Sequence, residues 1–140
     1  MIDVIEYLDE IGKIDTIIAN KLIEVKQWKE LAQKITAELT PDKVQSSSTK
    51  QKMAEAIEKA MEIEQEIDTY IVKLYEVKKD ILSKIEQLEV TEYDVLHKLY
   101  VQYLPLKAVA KAYGKSYSWA CDMHTKATKH LEAILSQETV

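Results

Sequence analysis

Glycine and proline occur only twice each in this 140-residue chain, at Gly12, Gly114, Pro41 and Pro105. Strand-rich folds spend these residues on turns, so a chain with so few of them has few places to reverse and is expected to be all-helical. Phenylalanine is absent and 31% of residues are charged, which fits long amphipathic helices. Where the chain must turn is therefore almost written out: near Pro41 and near Gly114.

From about Ile2 to Leu39, apolar residues recur at helical spacing. Leu8, Ile11, Ile18, Leu22, Val25, Ala32 and Leu39 form one line, with Ile14, Ile17, Trp28, Leu31 and Ile35 beside it. Gly12 weakens this helix locally. The stretch LTPDKVQSSSTKQK, with Pro41 and three successive serines, reads as a loop near residues 40–50. A second helix is expected from about Lys50 to Leu88. Steps of three and four from Ile57 give Ile57, Ala60, Glu64, Ile67, Ile71, Leu74, Lys78, Ile81, Ile85 and Leu88, a heptad seam interrupted only by Glu64 and Lys78. Two helices of similar length across a polar loop predict an antiparallel coiled-coil-like hairpin over residues 1–90. The alternative is that either helix seals its seam against another subunit. Two helices bury little surface, so self-association is expected in either case.

Residues 91–140 read as a separate small domain. Thr91 is the expected N-cap of its first helix, with Asp94 completing a capping box. Tyr93, Leu96, Leu99, Tyr100 and Tyr103 supply the apolar face, and Pro105 is expected to end it. Leu106 to Tyr113 forms a short helix, Gly114 and Lys115 a turn, and Ser116 caps a last helix reaching about Ser136. Ala110 is small enough for a close helix crossing, and Gly114 is free to take positive φ. Val109, Tyr113, Ala120 and Met123 fall at the spacings that fill the wedge of a helix-turn-helix. Lys115 departs, since an aliphatic residue commonly follows the glycine.

In that register Ala120, Met123, Ala127 and Leu131 point inward. Tyr117, Ser118, Cys121, Asp122, Thr125 and Lys126 face outward, with Trp119 at the margin. An outward N-terminal half is what a recognition helix presents to the major groove, where base edges carry a unique donor and acceptor code. Ser118 and Asp122 are best placed for base edges, and Trp119 and Tyr117 for a thymine methyl or a sugar. Lys107, Lys111, Lys115, Lys126 and Lys129 are the expected phosphate anchors. Each has a plainer alternative: Trp119 covers the core, and the lysines are a solvated face.

Charge distribution narrows the function classes. The net charge of −5 argues against a general nucleic-acid coat, but residues 1–90 carry 13 lysines against 19 carboxylates, whereas residues 103–131 carry five lysines and one aspartate. A basic end on an acidic body permits phosphate contact at that end only. All 19 basic residues are lysine, so bidentate guanidinium readout of guanine is ruled out. The single cysteine, Cys121, leaves no internal disulfide and fits a reducing cytoplasm. The opening MIDVIEYLDEIGKID is interrupted by charges, so neither a signal peptide nor a membrane span is expected, and the chain is placed in the cytoplasm. His97, His124 and His130 lack a metal-ligand spacing, Cys121 has no evident base, and no phosphate loop or catalytic triad is visible. No enzymatic activity, metal or cofactor is expected.

The segment EYDVLHKLYVQYLPLKAVAKAYGKSYSWACDMHTKATKHLEAIL resembles the promoter-reading region four of sigma factors. With the DKVQSSSTKQKM loop and the long helices, most of the chain resembles the ArpU- and RinA-like regulators of late transcription in phages and prophages of Gram-positive bacteria. The resemblance implies double-stranded DNA upstream of phage late genes as one partner and host RNA polymerase as another. It also implies that Ser118, Trp119, Asp122 and Lys126 occupy the recognition positions. The chain departs where such helices often carry arginine, at Trp119 and Cys121. It departs again at Tyr103, Leu104 and Pro105, where a glycine and a serine or threonine cap are common. Two other classes remain open: a DNA-packaging protein resembling a terminase small subunit, and an adaptor whose helix-turn-helix grips protein instead of DNA.

Overall fold

The computed structural model describes residues 3–37 and 47–138, and all secondary structure among them is helical. Five α-helices follow one another: α1 (Val4–Ala37), α2 (Ser47–Ile85), α3 (Val90–Leu96), α4 (Leu106–Ala112) and α5 (Tyr117–Glu138). A π-helical turn, His97–Val101, continues α3. The expected polar loop falls mostly on residues 38–46, outside the described residues, as do Pro41 and Leu39. Its serine-rich end is already helical, since α2 begins at Ser47.

The chain divides into two compact units, Met1–Ile14 with Leu74–Val140, and Asp15–Lys73. The expected boundary at residue 90 is not where the packing divides. Helices α3 and α5 share a core with the first turns of α1 and the last turns of α2. Val4, Leu8 and Ile11 of α1, Ile81 and Ile85 of α2, Leu96 of α3, and Ala127, Leu131 and Leu135 of α5 form one buried cluster. A tail of about 50 residues is too small to close such a core alone.

Asp3 opens α1 as its sequence allows, with the Glu6 amide donating to Asp3 Oδ1 at 3.1 Å. In each unit α1 and α2 run antiparallel: the Tyr7 hydroxyl donates to Asp80 at 2.6 Å in the first, and Lys21 meets Glu66 and Lys29 meets Glu64 in the second. The hairpin therefore seals its seam within the chain. The seam itself differs from the expected one. Ile57 and Ile71 are about half exposed, and Glu64 and Lys78 are exposed as well. The buried line runs through Ala56, Ala60, Ile63, Ile67, Ile81 and Ile85, with Leu74 and Val77 half-buried between the last two pairs. The expected positions Ala60, Ile67, Ile81 and Ile85 are buried, but at the alternate positions the preceding residues Ala56, Ile63 and Val77 replace Ile57, Glu64 and Lys78, so the line free of charge is the one that is buried. On α1, Leu22 and Leu31 are likewise exposed, and Lys21 takes the seam position by reaching Glu66 and the face of Tyr70.

At the start of α3 the cap is Glu89, not Thr91. Glu89 Oε2 accepts from the amides of Thr91 at 3.1 Å and Glu92 at 3.4 Å, and the helix is under way by Val90. Asp94 does not reach back to the helix start, because Lys98 and the Tyr113 hydroxyl occupy its two oxygens. Pro105 does not end the preceding helix either. That helix widens into the π-helical turn, with the Gln102 amide bonded to the His97 carbonyl, and stops at Val101. Tyr103 then takes φ 61°, a left-handed conformation uncommon for a side chain of its size, and Pro105 stands at the N-cap of α4.

The turn between α4 and α5 follows the expectation closely. Gly114 has φ 62°. The Lys115 amide bonds the Ala110 carbonyl and the Gly114 amide bonds the Lys111 carbonyl, which is the Schellman closure of a helix end. Ser116 Oγ accepts from the Trp119 amide at 3.0 Å and caps α5. Val109, Ala110 and Ala120 are buried and Tyr113 and Met123 half-buried, while Gly114, the sixth of the expected positions, is exposed in the turn.

The two glycines should respond in opposite directions to alanine. A Cβ at Gly12 would meet only Tyr103, at an ordinary 3.5 Å, so Gly12→Ala should stabilise the chain by about 1 kcal/mol through helix propensity. Gly114→Ala meets no atom but holds a left-handed backbone, and should destabilise by about 1–2 kcal/mol. Urea unfolding of both variants checks this, and equal effects of the same sign would refute it.

Candidate nucleic-acid interface

The five lysines of the α4–α5 region are all exposed: Lys107 and Lys111 on α4, Lys115 in the turn, Lys126 and Lys129 on α5. Among the described residues, none of them lies within ion-pair distance of a carboxylate. On the long helices Lys21, Lys29, Lys59 and Lys84 each pair with a glutamate or aspartate at 2.5–3.8 Å, whereas Lys13, Lys26, Lys78 and Lys79 are exposed without an ion pair among the described residues. An unpaired, solvated ammonium is free to meet an external anion without first breaking a bond.

Of the expected base readers, Ser118, Asp122 and Lys126 are exposed along α5. Trp119 is half-buried, its ring tilted against Tyr113 with centroids 5.1 Å apart. It closes the wedge on one edge and leaves only its other edge to solvent. Tyr117 and Thr125 are exposed as expected, whereas Cys121, expected outward, is half-buried. Ala120, Ala127 and Leu131 are buried on the opposite face, so the inward–outward division of α5 holds.

The wedge is fixed from behind by Asp94. Burial opposes ionisation of this carboxyl, but the Tyr113 hydroxyl and Lys98 hold it below the usual carboxylate range. Tyr113 in turn is pushed up to about 12 by burial and by its bond to Asp94, so it stays a neutral donor. The chain Lys98–Asp94–Tyr113–Trp119 therefore ties α3 to the C-terminus of α4 and the first turn of α5. Sequence reasoning spent Asp94 on a cap and missed this role. The cue was Lys98 four residues on, an i,i+4 partner for a side chain that cannot also serve a cap.

Two further pairs were not foreseen. Glu92, the one buried charged residue among those described, bonds His130 Nδ1 at 2.5 Å. The Tyr100 hydroxyl bonds His124 Nε2 at 2.7 Å, in a cavity of about 320 Å³ lined also by Asp9, Leu104 and Pro105. His97 is bonded to Gln102. Each histidine thus has a structural partner, and no group of three or more His, Cys, Asp or Glu able to hold a metal ion occurs among the described residues. Glu89 is a third surprise. Its carboxyl is held below the usual range by the Thr91 and Glu92 amides and by Lys126, so the cation of Lys126 works beside a nearby acid.

Compared with family models, curated proteins and solved structures, the chain matches none. No helix among the described residues is long and apolar enough to cross a membrane.

Burial holds His124 below its ordinary value near 6.5, with Asp9 opposing only in part. The folded chain therefore binds its proton less readily than the unfolded chain. Stability should be full above pH of about 6.5 and should fall as the pH drops below it. Carboxylates held low, such as Asp94, lose their contribution only at more acidic pH. Urea unfolding between about pH 7.5 and about pH 5.5 should show the decline, and His124→Gln should flatten it. A variant with the same pH dependence as the parent would assign the effect elsewhere.

Proposed function

We propose that this chain is a sequence-specific DNA-binding transcription regulator that acts through a helix-turn-helix formed by α4 and α5 and associates through its long helices. The observation that carries the reading is the local excess of positive charge: five lysines around α4 and α5 are exposed and form no ion pair among the described residues, against one aspartate between residues 103 and 131. The glycine-closed turn, the Ser116 cap and the buried inner face of α5 support it, because they fix the outer face as a rigid rod.

In this reading Lys107, Lys111, Lys115 and Lys129 contact phosphates and set the register on the duplex. Ser118 and Asp122 meet base edges, with Asp122 accepting from a cytosine amine, and Lys126 reaches a guanine or a phosphate. Trp119 is left a rim contact to a sugar or a thymine methyl. The bacterial cytoplasm, the phage late promoter and host RNA polymerase enter through the resemblance of the DKVQSSSTKQKM and YGKSYSWACDMHTKA stretches to the ArpU- and RinA-like regulators.

The test is binding to the duplex that flanks the chain's own gene, followed across salt concentrations. Four phosphate contacts, or five where Lys126 also meets a phosphate, predict a slope of log K on log salt of about −4 per protomer. Lys111→Ala should weaken binding to all sequences and reduce the slope by about 1, whereas Asp122→Ala should change the preference at one base position. Lys126→Glu should weaken binding further than an uncharged substitution. Absence of binding at low salt would overturn the reading in favour of a protein adaptor, and a ring of eight or more subunits would favour a packaging role.

A further inference from the structure

The unit Asp15–Lys73 is thinly packed. Its buried side chains are Val25, Ala32, Ala56, Ala60, Ile63 and Ile67, three of them alanine. One residue beyond the buried line of α2, a second apolar line stands in solvent: Ile57 is 46% exposed, Met61 57% and Ile71 49%. The matching flank of α1 carries Leu22, 55% exposed, then Lys26 and Lys29. The 2.8 Å ion pair between Lys29 and Glu64 places these two flanks on the same side of the helix pair.

We infer that this face docks a second copy of the same chain, forming a four-helix bundle. Its charges are self-complementary. Over this stretch the cations, Lys26 and Lys29, lie on α1, and the carboxylates, Glu64 and Asp68, lie on α2. A twofold axis parallel to the helices lays α1 of one chain over α2 of the other at the same level, with every neighbouring helix antiparallel. Lys29 then lies between two carboxylates and Glu64 between two ammonium groups. Ile57, Met61 and Ile71 leave water on either side of that square. The other twofold arrangement sets α1 on α1 and α2 on α2, and puts like charges together. The inference gives a face and a copy number to the self-association in the proposed function, and rests on that part of it alone, not on DNA binding.

Sedimentation equilibrium on the full chain across a concentration series tests it. The expected species is a dimer, twice the 16.1 kDa chain or about 32 kDa. Met61→Glu with Ile71→Glu substitutes side chains already exposed in the single chain, so helicity by circular dichroism should persist while the mass falls to that of one chain. Thr69→Glu, exposed on the side of α2 turned away from Ile71, should leave the dimer intact. A monomeric parent, a larger assembly, a dimer indifferent to the double substitution, or one lost equally to Thr69→Glu would each overturn the inference. Binding of the same samples to the flanking duplex separates the two readings. A dimer that ignores DNA sinks the regulator and keeps the interface, and a monomer that binds DNA does the reverse.

Discussion

The inner face of α5 is what the rest of this structure depends on. Ala127, Leu131 and Leu135 lie against Leu8 and Ile11 from the start of α1, Ile81 and Ile85 from the end of α2, and Leu96 of α3. Each fully buried aliphatic side chain of leucine or isoleucine size contributes roughly 1.5–3 kcal/mol relative to exposure. α3 and α4 are only seven residues each and cannot form such a wall between them. The C-terminal helices are therefore not a head appended to an arm. They fold on the base of the arm, and the orientation of the outer face of α5 is inherited from that packing.

Polar contacts refine what apolar burial establishes. Glu92 is buried and would be costly without a partner, and His130 supplies one from α5. Asp94 takes Lys98 and Tyr113 together. Both carboxylates sit on α3 and both reach toward the α4–α5 pair, so α3 acts as a latch on its back. Such bonds contribute little net stability, but they fail in any other register and so select one. The left-handed conformation of Tyr103 falls just after the π-helical turn, so the strain is confined to one residue outside any helix.

Much of the helical layout was legible because helix spacing, a glycine and a serine are local signals. The Schellman closure at Gly114 and the cap at Ser116 need only residues within one turn of each other. The inner face of α5 follows from the same period. What was not legible depends on competition between equally suitable residues. Thr91 and Glu89 can both cap, and only the position of Val90 in the helix decides for Glu89. Ile57 and Ala56 both begin credible seams, and the decision belongs to the partner helix, which buries Ile63 and leaves Glu64 exposed at the flank, paired with Lys29. The division of the chain at residues 14 and 73, and not near 90, is a property of a core assembled from four separate segments. Periodicity along one segment carries no record of it. On the candidate interface, exposure of the lysines and the marginal place of Trp119 were readable from the helical register, but the ring contact that holds Trp119 was not, because it depends on where Tyr113 is held by Asp94.

The absence of arginine links the two proposals physically. Lysine offers a point charge on a flexible stem and cannot clamp a guanine edge with two parallel bonds. With Trp119 half withdrawn into the wedge, Ser118 and Asp122 are left to discriminate bases, and two such contacts distinguish a site by only a few kcal/mol. Four or five phosphate contacts supply attraction that fades steeply with salt and is blind to sequence. One copy would therefore be a weak and undiscriminating reader. Joining two copies through the α1–α2 face changes this without adding a contact to DNA. The second head binds at the effective concentration set by the first, and each site then requires two correct half-sites. A net-acidic body serves the same end, since it repels the duplex everywhere except at the lysines around α4 and α5. In the proposed reading, the exposed apolar line of α2 and the lysine-rich α4–α5 region are two parts of one solution to reading DNA without arginine.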